Sequence, residues 1–351
     1  LIEMLISLYN LATGIAEKKE LILKWQDEEE DNNSVFLDCT STMAKQLVLD
    51  NFSKNELLSQ MDIDEKAWKQ SFKSSERILL KFMPEVISHL HKHLRIIVPL
   101  KAQDSRISLS STPMNVNGVF LASWIRSKFF AETLVHEVSH DCLNKLCLIE
   151  PLVEDSQRGF YSPFRNDTRP ASGLLHAAYS FLNVCQYLFR VSNREERLSR
   201  WAEDRLSGFL YDTLVCCQTL NVSDELTKSG KELVLSMVSE LSELKNKCEF
   251  ILDEEMYKSK QEHFELWATS ADKESEEFSR EIFEEVLFET PVWKNVVKME
   301  RKCIQPIVQS LKWFRENYHL TNVPVIILGD SLVEDIKLKA ELDVFRKTKI
   351  K

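Results

Sequence analysis

The chain has few of the residues that interrupt helices and build tight turns. It contains 7 glycines and 9 prolines among 351 residues. Because glycine and proline form most tight turns, their scarcity predicts a helix-rich protein with few such turns. The sequence also lacks an apolar run of the about 18 residues that a membrane span needs, and it lacks a secretory signal-peptide pattern. We therefore expect a cytoplasmic protein that makes no contact with a membrane.

Positive charge is also in deficit. The chain has 45 Lys and Arg against 55 Asp and Glu, a formal net charge of −10. Such a balance disfavours general binding to nucleic acids or to anionic membranes. The 8 cysteines form no C-x-x-C pair, and most lie in apolar helical patterns. They are therefore expected to be reduced thiols in the protein core.

Apolar residues recur at helical spacing through most of the chain, and short β-rich runs interrupt this pattern. The sequence therefore predicts a mainly α fold with a small β-sheet, in which a zincin-like metal helix lies beside a short edge strand. We expect three regions in one compact unit: an N-terminal helical region (1–94), a metal-site core (95–192) and a C-terminal helical region with a late strand (193–351).

The individual elements follow from the same periodicity. Helices are expected at 1–20, 53–72, 75–93, 127–148 and 173–190, and then almost without interruption from 194 to about 318. Strands are expected at 95–100, 118–123 and 322–329, the last followed by a charged terminal helix. Pro84 is expected to kink the third helix or to lie near its start, because proline lacks the backbone N–H that a helix interior uses.

The run from His136 to His140 has the form H-E-x-x-H and lies within the helix expected at 127–148. Residues four apart on a helix lie on one face, about 5–6 Å apart at Cβ. Two imidazoles at this spacing can bind one metal ion, and Glu137 can then act on a metal-bound water. The motif predicts a metal site, but its chemistry depends on a third ligand.

His176 is the natural candidate for that ligand, since it lies early on its own helix among apolar neighbours. The alternative is a core histidine that is hydrogen-bonded to a backbone carbonyl. Glu150 and Glu154 also stay open as ligands. The third ligands of the usual metallopeptidases fit poorly, because Phe160 stands where a gluzincin has its Glu. Leucines occupy the metzincin glycine and third-histidine positions, at Leu143 and Leu146.

Arg165 and Arg169 share the segment that precedes this second helix. They either brace the loop, with Asp167 as a candidate partner, or present a planar guanidinium to a carboxylate of a co-substrate. A second group of histidines, His89, His91 and His93, has no partner cluster downstream in the sequence. We expect these to be solvated surface or helix-end residues.

The segment from about 118 to 190 resembles the HExxH-motif family of peptide-modifying proteins, described as α-ketoglutarate/HExxH-type peptide β-hydroxylases. The resemblance rests on GVFLAS, on AETLVHEVSHDCLNKL and on YSPFRNDTRPASGLLHAAYSFLNV, and the segment that contains them covers about a fifth of the chain. The combination of an SP-aromatic-R segment, RP and GLLHA after the motif helix is specific, whereas H-E-x-x-H alone is not. Phe164 replaces an expected Trp, and Ala171-Ser172 replaces bulkier residues or Gly.

The resemblance implies a mononuclear Fe(II) site that uses 2-oxoglutarate and O₂ to hydroxylate a side chain of a ribosomally made peptide, with or without a leader segment. It makes His136, His140 and His176 the iron ligands, and Arg165 and Arg169 the candidates for binding the co-substrate carboxylate. Glu137 becomes a supporting or proton-handling group.

Two alternatives stay open. Three-histidine sites also hold catalytic zinc, so a zinc metallopeptidase with Glu137 as general base is the second hypothesis. The third is a helical module without activity that binds a peptide or a partner.

Overall fold

The computed structural model describes most of the chain between residues 21 and 287. The ranges are 21–24, 34–52, 63–101, 109–114, 116–124, 127–154, 158–194, 196–248 and 254–287. The helix expected at 1–20, the strand expected at 322–329 and the charged helix after it lie outside them. The chain divides into two compact units, Leu1–Asp141 and Cys142–Lys351. The three regions expected from the sequence remain a prediction.

Within the described ranges, the first unit contains a five-stranded sheet, three whole helices and part of a fourth. Its strands are β1 (Leu21–Leu23), β2 (Val35–Leu37), β3 (Ile96–Leu100), β4 (Ser110–Ser111) and β5 (Val119–Ser123). Its helices are α1 (Thr42–Asn51), α2 (Glu65–Phe82), α3 (Pro84–His93) and the part of α4 (Ser127–Ile149) up to Asp141.

The sheet is mixed, with the strand order β1-β2-β3-β5-β4. The three central strands β2, β3 and β5 run parallel, whereas β1 and β4 pair antiparallel at the two ends. The expected edge strand at 118–123 is therefore not an edge: β4 covers it in the described sheet. All five residues of β5 are buried, which fits a strand with neighbours on both sides.

One face of the sheet packs against α1. Ile96, Val98 and Leu100 alternate along β3, so their side chains point to the same face. They join Val119 and Leu121 of β5 in a buried cluster with the apolar residues of α1. Full burial of one such aliphatic side chain stabilises the fold by about 1.5–3 kcal/mol. This cluster stabilises the sheet, which precedes the motif helix in the chain.

The helices around Pro84 differ from the expected bounds. We expected a break between residues 72 and 75, but α2 runs through this segment and ends at Phe82. Pro84 is the first residue of α3, where the missing N–H costs no helical hydrogen bond. The expectation that Pro84 lies near a helix start is confirmed, and the earlier break was wrong because no helix-breaking residue stands there.

The second unit is helical apart from a short hairpin. It contains the end of α4, then β6 (Gly159–Phe160) paired antiparallel with β7 (Arg169–Pro170). Its helices are α5 (Ala171–Arg194), α6 (Glu196–Val222), α7 (Lys228–Cys248), α8 (Glu254–Ala268) and α9 (Lys273–Leu287).

Aromatic side chains form much of the core of this unit. Tyr161 follows β6 and lies within 6 Å of four rings, measured between ring centroids; these belong to His263, Phe264, Trp267 and Phe283. A second group stacks Phe164 on Phe181, with centroids 3.8 Å apart and planes at 2°. The segment after β6 is thereby attached to α5, α8 and α9.

The chain is thus mainly helical with a small mixed sheet. No helix in the described ranges is long and apolar enough to span a membrane. The cysteines within these ranges are not in disulfide bonds, as expected for core thiols; Cys303 lies outside them.

Candidate metal centre

Helix α4 carries the H-E-x-x-H motif and is buried on almost every side. Phe130, Ala131, Val135 and Val138 have no exposed surface. A helix that is buried on most of its faces lies in the interior of a protein. The observed bounds, Ser127–Ile149, confirm the helix expected at 127–148.

The two motif histidines come together on one face of α4. Their Nε2 atoms lie 3.0 Å apart, and their rings are nearly perpendicular at 87°. Two nitrogens that bind one ion at about 2.0–2.1 Å lie about 2.8–3.4 Å apart when the angle at the metal is between about 90° and 109°. The separation of His136 and His140 therefore suits two ligands of one metal ion.

Glu137 is 1% exposed and lies beside a hydroxyl-rich segment that we did not single out from the sequence. Thr112 donates its hydroxyl to Oε2 of Glu137 at 2.7 Å. Burial raises the pKa of Glu137 to about 7, although the nearby hydroxyls of Ser110 and Thr112 lower it in part. The other oxygen, Oε1, is buried and has no hydrogen-bond partner within the described ranges.

Ser110 is the first residue of β4 and Thr112 follows the strand, so the sheet edge supplies the hydroxyls near Glu137. The sequence signal that could have indicated them is the serine-rich run before residue 112. A buried carboxylate needs hydrogen-bond donors, but the hydrophobic periodicity of the sequence does not show which loop provides them.

Asp141 follows the second motif histidine and forms a buried contact with α3. The Nε2 atom of His89 lies 2.6 Å from Oδ2 of Asp141, and the two residues are 2% and 3% exposed. The expectation of a solvated histidine was wrong for His89. Its position four residues before the end of α3 turns it towards α4, and the carboxylate satisfies its buried nitrogen. His93 does end the helix.

In the second unit, His176 lies in the second turn of α5 and is half-buried. Burial, and then the positive charge of Arg169, lower the pKa of His176 to about 4. A neutral imidazole is the form that binds metals. Gly173 gives Arg169 room to pack here, since an added Cβ would lie 3.1 Å from its Nε.

Arg165 and Arg169 both pair with the carboxylate of Asp167. The Nε atom of Arg165 lies 3.1 Å from Oδ1, and the NH1 atom of Arg169 lies 3.2 Å from Oδ2. Burial alone would raise the pKa of Asp167, but the hydrogen bonds from the two arginines outweigh it and lower the pKa. Their side chains differ in exposure, with 59% for Arg165 and 35% for Arg169.

The alternative ligands have other partners. Glu150 accepts a hydrogen bond from Ser229, whereas Glu154 is exposed and its bond to Glu225 is made by the backbone N–H. Asn144, one turn beyond His140 along α4, is buried, and its Oδ1 has no hydrogen-bond partner within the described ranges. Within those ranges no three or more His, Cys, Asp or Glu side chains are grouped so as to hold a metal ion.

No protein-family model matches the chain, and a search of curated proteins returns no significant match. The resemblance to the peptide β-hydroxylases therefore stays a prediction. The structure brings His136 and His140 together, gives Glu137 a buried position, and joins Arg169 to the surroundings of His176.

Proposed function

We propose that the protein is a non-haem Fe(II)/2-oxoglutarate-dependent oxygenase that hydroxylates the β-carbon of a side chain in a ribosomally made peptide. The observation that carries the proposal is the Nε2 pair of His136 and His140, 3.0 Å apart on a buried helix. The residues that follow, from Tyr161 to His176, supply the pattern that distinguishes this family from other H-E-x-x-H proteins.

In this proposal His136, His140 and His176 hold the metal. Three protein ligands leave coordination positions for a co-substrate. Fe(II) with 2-oxoglutarate and O₂ supplies the chemistry, which inserts one oxygen atom into a C–H bond and releases succinate and CO₂. Three histidines depart from the common set of two histidines and one carboxylate, so the metal must be tested directly.

Arg169 is the better candidate for binding the 2-oxoglutarate carboxylate. Its charge acts on His176, and its side chain is less exposed than that of Arg165. A guanidinium can bind a carboxylate through two parallel hydrogen bonds. The carboxylate of Asp167 now accepts a hydrogen bond from Arg169, so the co-substrate would replace one carboxylate with another.

The proposed place for the peptide is the outer edge of β4. A zincin-like arrangement holds an extended peptide at a sheet edge next to the metal helix. In this sheet the described edge is β4 rather than β5, and Thr112 just after β4 bonds to Glu137. A peptide that adds to this edge would therefore lie beside the motif glutamate.

A zinc metallopeptidase is the second candidate, and one specific observation favours it. The Oε1 atom of Glu137 is buried without a hydrogen-bond partner in the described ranges. A general base needs an oxygen that is available to hold and deprotonate the attacking water. In the hydroxylase, by contrast, Glu137 only supports the site through its bond to Thr112.

The substitution Glu137→Gln separates the two candidates. The protein is loaded with Fe(II) or with Zn²⁺ and incubated with its cognate peptide, 2-oxoglutarate and O₂. The hydroxylase predicts succinate and a peptide heavier by one oxygen atom with iron, and Glu137→Gln retains part of this activity. The peptidase predicts cleavage with zinc that Glu137→Gln abolishes. Absence of succinate from the iron-loaded protein with its peptide would exclude the hydroxylase.

A further inference from the structure

The second unit contains a cleft that the proposed chemistry does not use. It has a volume of about 460 Å³ and is lined by residues of α6, of α8 and of the segment after β6. Clefts of roughly 300–1,000 Å³ with apolar walls and a few convergent polar groups are typical of ligand sites. Here Pro163 and Met256 provide apolar surface.

A buried ion pair forms the polar part of this wall. Lys260 is 9% exposed, and its Nζ donates to the backbone oxygen of Gly208 at 2.9 Å and to Oδ1 of Asp212. An ammonium has three N–H donors, and a carboxylate has two acceptor oxygens. One N–H of Lys260 and Oδ2 of Asp212 thus have no hydrogen-bond partner among the described residues.

His263 provides a second donor. Its Nδ1 lies 2.9 Å from the hydroxyl of Tyr161. Burial lowers the pKa of His263 and raises the pKa of Tyr161, so the ring is neutral and the hydroxyl keeps its proton. In the tautomer in which the Tyr161 hydroxyl donates to Nδ1, Nε2 of His263 carries the N–H. Because His263 also lines the cleft, this N–H is available to a ligand.

The charges decide which ligand fits. An anion that bonds to Lys260 would approach the carboxylates of Asp212 and Glu255, and a cation that bonds to Asp212 would approach the ammonium. A neutral carboxamide avoids both costs, because its C=O accepts from Lys260 or His263 while its N–H donates to Asp212. We propose that this cleft binds a neutral ligand through a carboxamide group.

The proposal requires neither a metal nor 2-oxoglutarate, so its test is independent of the hydroxylase assignment. Its test is a ligand-observed NMR titration of the full-length chain without added metal. Three probes of equal length are compared: pentanamide, pentanoate and pentylammonium. We expect pentanamide to bind at least about tenfold more tightly than either charged probe, the factor expected from one hydrogen bond to a charged partner.

Gly208 offers a matched pair of variants that leaves the ion pair intact. An added Cβ at this position meets no atom within 4 Å, and alanine favours a helix over glycine. Gly208→Ala should therefore fold and keep its affinity for pentanamide within about threefold, whereas the side chain of Gly208→Leu enters the cleft and should weaken binding at least about tenfold.

A double substitution tests the polar groups themselves. Lys260→Met with Asp212→Leu removes both charges together, which avoids leaving one of them buried alone. This variant should retain its melting temperature within a few degrees and lose the preference for pentanamide. The proposal is overturned if pentanamide does not bind, if a charged probe binds as tightly, or if Gly208→Leu binds pentanamide as well as the parent protein does.

Discussion

The contact between His89 and Asp141 gives the most direct test of the packing around the motif helix. Both side chains are buried, at 2% and 3% exposure, and Nε2 lies 2.6 Å from Oδ2. The substitution His89→Phe keeps a ring of similar size but removes the nitrogen. It leaves the carboxylate of Asp141 in the interior without this partner.

Removing one partner of a buried, hydrogen-bonded charge costs about 3–5 kcal/mol. Replacing both partners with apolar groups is often close to neutral, because the desolvation of the charge disappears with it. We therefore expect His89→Phe to lower the free energy of unfolding by about 3 kcal/mol or more. The double variant His89→Phe/Asp141→Leu should lose less stability than His89→Phe, by a margin of at least about 2 kcal/mol.

The assay is urea unfolding followed by circular dichroism, for the parent chain, both single variants and the double variant. The double-mutant cycle isolates the coupling between the two residues. A coupling energy below about 0.5 kcal/mol would refute the reasoning, because it is the level expected of residues that do not touch.

Three further predictions concern other parts of the chain. Under the proposed function, Arg169→Lys would remove one of two parallel charge-assisted hydrogen bonds to 2-oxoglutarate, so its KM should rise about 10- to 100-fold, whereas Arg165→Lys should change it by less than about threefold; equal effects would refute the assignment. Gly118→Ala should lower the melting temperature, because φ is +77° and the new Cβ would lie 2.5 Å from a backbone oxygen of α3; an unchanged melting temperature would contradict this. Burial lowers the pKa of His263 below its usual 6.5. The neutral form of His263 therefore stabilises the fold above pH 6.5, and this stabilisation is lost as the pH falls from 6.5 through the lowered pKa. The difference in melting temperature between the parent and His263→Asn should therefore shrink below pH 6.5, and a difference that grows there would be contrary to the prediction.

The sequence predicted those elements whose periodicity is strong. The helix around His136 was expected at 127–148 and is observed at Ser127–Ile149. The strands expected at 95–100 and 118–123 are observed at Ile96–Leu100 and Val119–Ser123. In these segments the local helix or strand propensity agrees with the burial of the side chains, so the sequence of the segment alone is sufficient to predict the element.

Pairing between distant segments could not be predicted in this way. Nothing in the sequence near residue 110 shows that β4 covers β5, and so β5 was expected at the edge. The burial of His89 depends in the same way on Asp141, which is 52 residues away. The contact of Tyr161 with His263 spans 102 residues, and a periodicity that is read along one helix does not contain it.

The site was predicted in its parts. The spacing of His136 and His140 implied that their rings share a face, and the structure confirms this. The suggestion that Asp167 pairs with the two arginines is also confirmed. Thr112 was missed as a partner of Glu137, because a lone hydroxyl in a loop has no signature until its buried acceptor is known.

The most direct test of the central claim is the binding of 2-oxoglutarate to the metal-loaded protein. Under anaerobic conditions, calorimetric titration of the Fe(II)-loaded chain should show one 2-oxoglutarate bound per iron. His140→Ala should abolish this binding by removing the iron, and admission of O₂ with the peptide should then release succinate from the parent protein. Iron-loaded protein that binds no 2-oxoglutarate, or that binds it equally well in His140→Ala, would contradict the account.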